Sequence, residues 1–201
     1  MKNESIVFVR KVGEEIEDIL LDLAHLRIAV FKEFPYLYAG TIAYEKDYLQ
    51  RYVHTKKAFV FGVYVNGVLV GATTGLPLED EMEVIQKPFL EANLPLSDFF
   101  YFGESILLPE YRGRGWGHVF FDEREAFARS LKSYQKTCFC AVERPLDHPL
   151  RPTLYRKNDF FWKKRGYQKQ PHLVCEMAWQ DLNETAETRK KLTFWTHSLY
   201  S

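Results

Sequence analysis

The residues with the most chemical potential in this sequence stand together, as Glu110-Tyr111-Arg112-Gly113-Arg114-Gly115-Trp116-Gly117-His118. Glycine recurs at every second position, 113, 115 and 117, which removes the Cβ atoms that would hold a ligand away from the backbone. The stretch lies between an apolar, aromatic run (Asp98 to Leu108) and a helix-like segment (Val119 to Leu131). A loop so placed aims its own N–H groups, and those of the helix's first turn, at one point. The helix dipole adds partial positive charge there, and Arg112 and Arg114 supplement it. A phosphate or pyrophosphate is the natural guest. Spacing then excludes two known phosphate loops. A Walker loop needs Gly-Lys-Ser/Thr, which the sequence lacks, and a dinucleotide fingerprint would need its third glycine at His118 or Phe120. Arg112-x-x-Gly115-x-Gly117 is what remains.

Acid–base chemistry has fewer candidates. Glu104 lies on the run that feeds the cradle, flanked by apolar residues, where a partly desolvated carboxylate suits a general base. Beyond the strand-like run Thr137 to Val142 comes an extended loop, Glu143 to Pro152, with three prolines. It offers Glu143, Asp147 and His148 at the end of a strand, where ligand sites of α/β proteins tend to lie. Asn158 to Tyr167 reads as a short helix with Asn158 as N-cap, Asp159 in the first turn, Lys163, Lys164 and Arg165 in the last, and Gly166 as the stop.

These groups need a scaffold, and the pattern of apolar residues outlines one. Ile6 to Val9 reads as a strand. Ile16, Ile19, Leu20, Leu23, Leu26, Val30, Phe31 and Phe34 recur at helical steps until Pro35 stops them, and Tyr44 to Val53 predicts a second helix. Ala58 to Val65 and Val68 to Thr74 are joined by Asn66-Gly67, the dipeptide that best fits a two-residue hairpin turn. Residues 76–97 interrupt the rhythm with an acidic cluster (Glu79, Asp80, Glu81, Glu83), then Pro88 and Pro95. They predict an insertion of a short helix plus loops, its charges forming a solvated face or covering a binding mouth for a cation. Phe99 to Leu108, Thr137 to Val142, His172 to Trp179 and Leu192 to Leu199 complete the strands.

The chain has 201 residues, suited to a single domain over 1–201, and 46% of them are hydrophobic. Lys+Arg and Asp+Glu are equal at 27 each, so no global field favours nucleic acid or an anionic membrane, and any anion site is local. No apolar run approaches the ~18 residues of a membrane span, and Met1-Lys2-Asn3-Glu4 carries no signal-peptide core, which predicts a soluble, cytoplasmic protein. Cys138, Cys140 and Cys175 lie in strand-like runs without zinc-site spacing and read as free thiols, with no metal site.

The Arg112-x-x-Gly115-x-Gly117 spacing, the Pro109-Glu110-Tyr111-Arg112 lead-in, the strand before and the amphipathic run after together resemble the acyl-coenzyme A pyrophosphate loop of the GNAT superfamily of N-acetyltransferases, Gln/Arg-x-x-Gly-x-Gly/Ala. Asn158 to Tyr167 is similar to that superfamily's later helix, Asn-x-x-Ala-x-x-Phe-Tyr-x-x-x-Gly-Phe. The resemblance covers nearly the whole chain. It implies an α/β (α+β) fold: a mixed, mostly antiparallel central sheet of six to seven strands, flanked by helices, with a splayed cofactor strand. It implies acetyl-coenzyme A as acyl donor, held by Arg112, Gly113, Arg114, Gly115, Trp116, Gly117, His118, Asn158 and Phe161, with the backbone near Ile106, Leu107 and Leu108 taking the pantetheine arm. Arg27, Phe31, Glu33, Tyr36 and Tyr38, with Glu143 and His148, would contact the acceptor, and Glu104 would take the amine's proton. The acceptor would be a small-molecule or peptide amine; neither nucleic acid nor membrane is implied, and a homodimer is compatible. One departure stands out. The superfamily's tyrosine acid falls at Trp162, whose indole N–H is a donor but no usable acid. Tyr155 is the substitute, unless solvent protonates the leaving thiolate. The same departure supports an alternative, a silent coenzyme A-binding regulatory domain. An RNA-binding reading is weaker, because one Arg-Gly pair is no repeat and the net charge is zero.

Overall fold

The computed structural model describes residues 4–200; the first three residues, and the expected domain limits at 1 and 201, lie outside the described residues. β1 (Ile6–Val12) leads through 3-10 turns (Gly13–Ile19) into α1 (Leu20–Phe31). The turns occupy the first part of the predicted helix. They begin at Gly13, which has φ +55° and donates its N–H to the Ala58 carbonyl at 3.0 Å. α2 (Ile42–His54) starts earlier than Tyr44 because the Thr41 hydroxyl accepts the Tyr44 N–H at 3.3 Å, a cap that saturates one of the helix's free donors.

β2 (Phe59–Val65) and β3 (Val68–Pro77) form the expected hairpin, with Asn66 at φ 51° and Gly67 at φ 83°, as a type I′ turn requires. In the 76–97 segment lies α3 (Glu83–Glu91), which is part of the core: the Phe89 ring packs edge-on against Phe99 and Phe194, each at 4.9 Å. α4 (Trp116–Ser130), β6 (Lys136–Val142), α5 (Asp159–Lys164), β7 (Gln168–Trp179) and β8 (Thr188–Ser198) complete the chain.

The predicted strand Phe99 to Leu108 is two strands, β4 (Phe99–Tyr101) and β5 (Ser105–Leu107), which brings the sheet to eight. The cause is a one-residue excess. Between the pairs Leu76/Tyr101 and Thr73/Ser105, three steps along β3 oppose four along the other chain, which is a β-bulge. Gly103 sits in the bulge against β3 and α2, where a Cβ would overlap Tyr52 Oη and lie 2.7 Å from Thr74 Oγ1.

The sheet runs β1-β2-β3-β4-β6-β8-β7, with β5 also on β3, and only β4 and β6 are parallel neighbours. They stay together as far as the bond from Phe102 N–H to the Cys138 carbonyl, at 2.7 Å. Beyond it β5 follows β3, while Phe139 to Val142 pair only with β8. The sheet therefore opens into a V at the carboxyl ends of its parallel strands. One face is covered by α1 and α2 through Leu23, Leu26, Leu49 and Tyr52, the other by α4 through Phe120, Phe121 and Ala128. Among the described residues no helix is long and apolar enough to cross a membrane.

Because the bulge depends on the missing Cβ, Gly103→Ala should lower stability by about 1–3 kcal/mol, the usual cost of overpacking. Urea unfolding measures it, and an unchanged midpoint would contradict the close approach.

Candidate active site

The cradle forms where β5 hands over to α4. Gly113 and Gly115 have φ 80° and 83°, a Cβ added to either would meet nothing within 4 Å, and no side chain caps the helix at Gly115. The His118 N–H turns back to the Gly115 carbonyl at 3.0 Å, and the N–H groups of Trp116 and Gly117 are offered to an open space. At Gly117 an added Cβ would touch only Phe161, at 3.7 Å, and the His118 ring packs on Phe161 at 4.9 Å, so α5 leans on the first turn of α4. Arg112 donates through Nε to the Leu107 carbonyl (3.1 Å) and through Nη2 to Glu33 (2.7 Å), which places Glu33 at the cradle although it was expected at the acceptor. Arg114 pairs with Glu4 and lies over the rings of Tyr111 (4.8 Å) and Trp116 (5.6 Å). Both ion pairs are exposed and solvent-screened, so an incoming phosphate could displace them.

The V between β5 and β6 holds a cleft of about 980 Å³, lined by Gly103, Glu104, Phe121, Arg124, Tyr155, Asn158 and Trp162 among others. Ile106 faces Ala72, and Leu108 donates its N–H to the Val70 carbonyl at 2.9 Å. By the alternation of an antiparallel ladder, the backbone groups of Ser105 and Leu107 are the ones that point into the V. Asn158 holds the N-cap position of α5, yet its side chain makes no cap bond and is left for the cleft. Trp162 is fixed between Phe139 (4.9 Å) and Trp195 (5.2 Å). Tyr155 packs edge-on against Phe34 at 4.6 Å; burial pushes its pKa up and Arg151 opposes the shift, so the hydroxyl keeps its proton for donation. Glu143 lines the cleft, paired with Lys169. His148 lines neither this cleft nor its neighbour; its Nδ1 accepts the Leu150 N–H at 3.2 Å.

A second cavity of about 740 Å³ lies on the α1 and α2 side, walled by Phe31, Tyr36, Tyr38, Tyr44, Tyr48, Tyr101 and Trp179 and by the charged groups Arg27, Glu81 and Glu104. The two cavities share Phe31, Tyr36, Gly103, Glu104 and Cys140. Of the three free cysteines, Cys140 alone lines them.

Glu104 is not the isolated carboxylate the sequence suggested. It is buried and paired with Arg27, its carboxylate accepts from the hydroxyls of Thr74, Tyr48 (3.1 Å) and Tyr52 (3.3 Å), and its backbone N–H donates to Thr74 Oγ1 at 3.0 Å. Arg27 also pairs with buried Glu45, and its guanidinium lies over Phe31 (5.0 Å) and Tyr48 (4.3 Å). Its donors to carboxylates are already engaged. Glu81 has more freedom. Its Oε2 takes Arg51 Nη1 (2.9 Å) and the Met82 N–H (2.7 Å), while buried Oε1 has no partner. Burial pushes its pKa up, with Arg51 opposing.

Sequence reasoning missed Glu81 as an individual because it sits in a charge run; Glu79, Asp80 and Glu83 are exposed, and only Glu81 turns inward. It missed Arg124 for the opposite reason, since that residue occupies the apolar face of α4 with Phe120, Phe121 and Ala128. A charge at that periodic position was the available signal.

Removing Arg27 would leave two buried carboxylates facing each other. Arg27→Met should therefore cost about 3–5 kcal/mol in urea unfolding; a loss below about 1 kcal/mol would show that the triad is not closed as described.

No protein-family model matches the sequence, and no curated protein matches it. Solved structures do. A ribosomal-protein-alanine N-acetyltransferase from Brucella melitensis aligns with TM-score 0.61 at 11% identity, over 94% of this chain and 99% of its own. The loading GNATL domain of CurA from Lyngbya majuscula gives 0.60 at 13% identity, over 96% and 98%. A GNAT-family acetyltransferase from Streptococcus pneumoniae gives 0.58 at 10%, over 96% and 99%. Over nearly its whole length, with the V-shaped opening of the sheet and the glycine loop at the head of α4, the chain has the fold of the GNAT acetyltransferases.

Proposed function

We propose that this chain is an acyl-coenzyme A-dependent N-acyltransferase. The observation that carries the reading is the meeting of two cavities at Gly103 and Glu104, one of them floored by the helix whose open N-terminus forms the anion cradle. Gly117 and Arg124 are seven residues apart on α4, about 10 Å at 1.5 Å per residue, so cradle and cleft lie along one line.

A bound acyl-coenzyme A would supply an activated thioester. The cradle N–H groups and Arg112 and Arg114 would hold its pyrophosphate, and the exposed backbone edge of Ser105 and Leu107 its pantetheine arm. The resemblance implies an acetyl donor. The acceptor cavity, aromatic with buried carboxylates at its wall, suits an amine that arrives as a cation. Glu81, with a free oxygen and a raised pKa, takes the amine's proton directly or through water; Glu104, whose oxygens are engaged by Arg27 and three hydroxyls, shapes the wall between the two substrates. As the thiolate leaves, Tyr155 donates its proton, or solvent does, since a thiol pKa of about 8.5 makes the thiolate a competent leaving group. Because Trp162 cannot act as acid, a second reading is a coenzyme A-binding domain without turnover. Thiol release from acetyl-coenzyme A with a panel of amines separates the two.

Gly117 can accept a side chain without straining the fold, so Gly117→Leu should fold normally and lose the rise in melting temperature that coenzyme A gives the parent. If the parent shows no rise at millimolar coenzyme A, the assignment fails. For catalysis, kcat/KM should fall with decreasing pH through a carboxyl pKa above the usual ~4.3, because only ionised Glu81 is a base. Glu81→Gln should remove that limb; its survival would exclude Glu81 as base.

A further inference from the structure

Arg124 projects from the middle of α4 into the floor of the donor cleft. It is 2% exposed, and its guanidinium lies over the rings of Phe102 (4.2 Å) and Phe121 (4.5 Å). One nitrogen is used: Nη1 donates to the Glu104 carbonyl at 3.1 Å. Nε and Nη2, both buried, have no partner. These two nitrogens lie along one edge of the guanidinium and form the fork that grips a carboxylate with two parallel bonds.

Among the described residues no carboxylate forms an ion pair with this cation, although the charges of Glu125 and Glu104 act on it from a distance. The Glu104 side chain is held by Arg27 on the far side of the strand. Glu125, next in sequence, is held by Arg165 (3.3 Å), Arg129 (3.5 Å) and the Tyr167 hydroxyl (3.3 Å). Among the other cations of the cleft, Arg144 pairs with Asp181 and Lys169 with Glu143, Lys157 is exposed, and Arg151, over the Tyr155 ring at 5.2 Å, keeps one buried nitrogen, Nη1, without a partner where Arg124 keeps two. Burial lowers the Arg124 pKa to about 10, which still leaves it charged at neutral pH. A buried, uncompensated charge costs several kcal/mol in a folded protein, and an apolar residue would fill this face of α4 at no such cost.

We propose that Arg124 selects the acyl donor, and that the acyl group this protein accepts ends in a carboxylate, as in a short dicarboxylic acyl thioester of coenzyme A. This rests on the coenzyme A reading above and narrows it. A methyl-ended acyl group would offer nothing to Nε and Nη2, and an amide or thioester carbonyl would accept a bond without neutralising the charge. A carboxylate at the far end of the acyl group does both. In the transfer itself the ammonium first gives one proton to the base, the amine nitrogen then bonds to the thioester carbon, the C–S bond breaks with its electron pair going to sulfur, the nitrogen's second proton is lost as the amide forms while the thiolate takes a proton from Tyr155 or solvent, and the distal carboxylate is unchanged. The product is an amine capped by an amide with a free acid at its end, so the acceptor's positive charge becomes a negative one.

Two thioether analogues that cannot be turned over test this by isothermal titration calorimetry: S-(2-carboxyethyl)-coenzyme A and S-propyl-coenzyme A, equal in length and differing in the terminal group. The parent protein should bind the carboxylated analogue at least tenfold more tightly. Arg124→Met should bring the two affinities to within about twofold while S-propyl-coenzyme A still binds, and Arg124→Lys, which keeps the charge and loses the fork, should fall between. Equal binding of the two analogues by the parent, or a preference kept by Arg124→Met, overturns the proposal while leaving coenzyme A binding intact. The parent comparison needs no variant to fold. If neither analogue nor coenzyme A itself binds, the acyl-coenzyme A reading falls and this inference with it.

Discussion

A single extra residue between β4 and β5 decides where this protein can do chemistry. With the same number of residues on both sides, the run from Phe99 to Leu108 would pair with β3 and β6 along its whole length and the sheet would be closed. The bulge at Phe102, Gly103 and Glu104 instead lets β5 follow β3 while β6 turns away with β8, leaving unpaired backbone on both sides of a V. The same bulge brings Gly103 against Tyr52 and Thr74, and thereby ties the opening of the sheet to the packing of α2. The cleft, the second cavity and the wall between them all follow from that local mismatch.

Burying charge in this region is expensive, and the structure meets the cost by pairing. Arg27 is closed between Glu45 and Glu104 and between two rings. Arg144 grips Asp181 and donates to the carbonyls of Pro35 and Tyr36, both at 2.7 Å, which fixes the aromatic loop that separates the cavities. Against that background the groups left incomplete are informative. Glu81 keeps a bare oxygen where it lines the cavity on the α1 and α2 side, and Arg124 keeps two bare nitrogens where it lines the cleft between β5 and β6. Glu45 Oε1 and Arg151 Nη1 are the other buried side-chain atoms without a partner among the described residues, and of these groups Arg124 alone leaves two.

Legibility in the sequence followed the range of the interaction. The hairpin at Asn66-Gly67, the glycine cradle and the position of α5 depend on neighbours a few residues apart, and they could be read directly. The division of one predicted strand into β4 and β5 could not, because Gly103 marks a bulge only when Tyr52 and Thr74, far away in the chain, lie against it. Asn158 shows both sides: its place at the start of α5 was readable, whereas its uncommitted side chain was visible only once the cleft was formed.

The sequence by itself determined the cradle, since glycine spacing before an amphipathic helix fixes which N–H groups are free, and it determined the order of strands and helices through their periodicity. It also showed that Trp162 could not serve as acid, a matter of functional group alone. Only the tertiary structure decided which charges are available. Glu104 and Arg27 neutralise each other across 77 residues of chain, Glu33 joins Arg112 across 79, and Glu81 and Arg124 stay incomplete because the folded chain supplies no counterpart for their remaining polar atoms. Whether a charge is spent or free depends on its neighbours in space, and those neighbours are far apart in sequence.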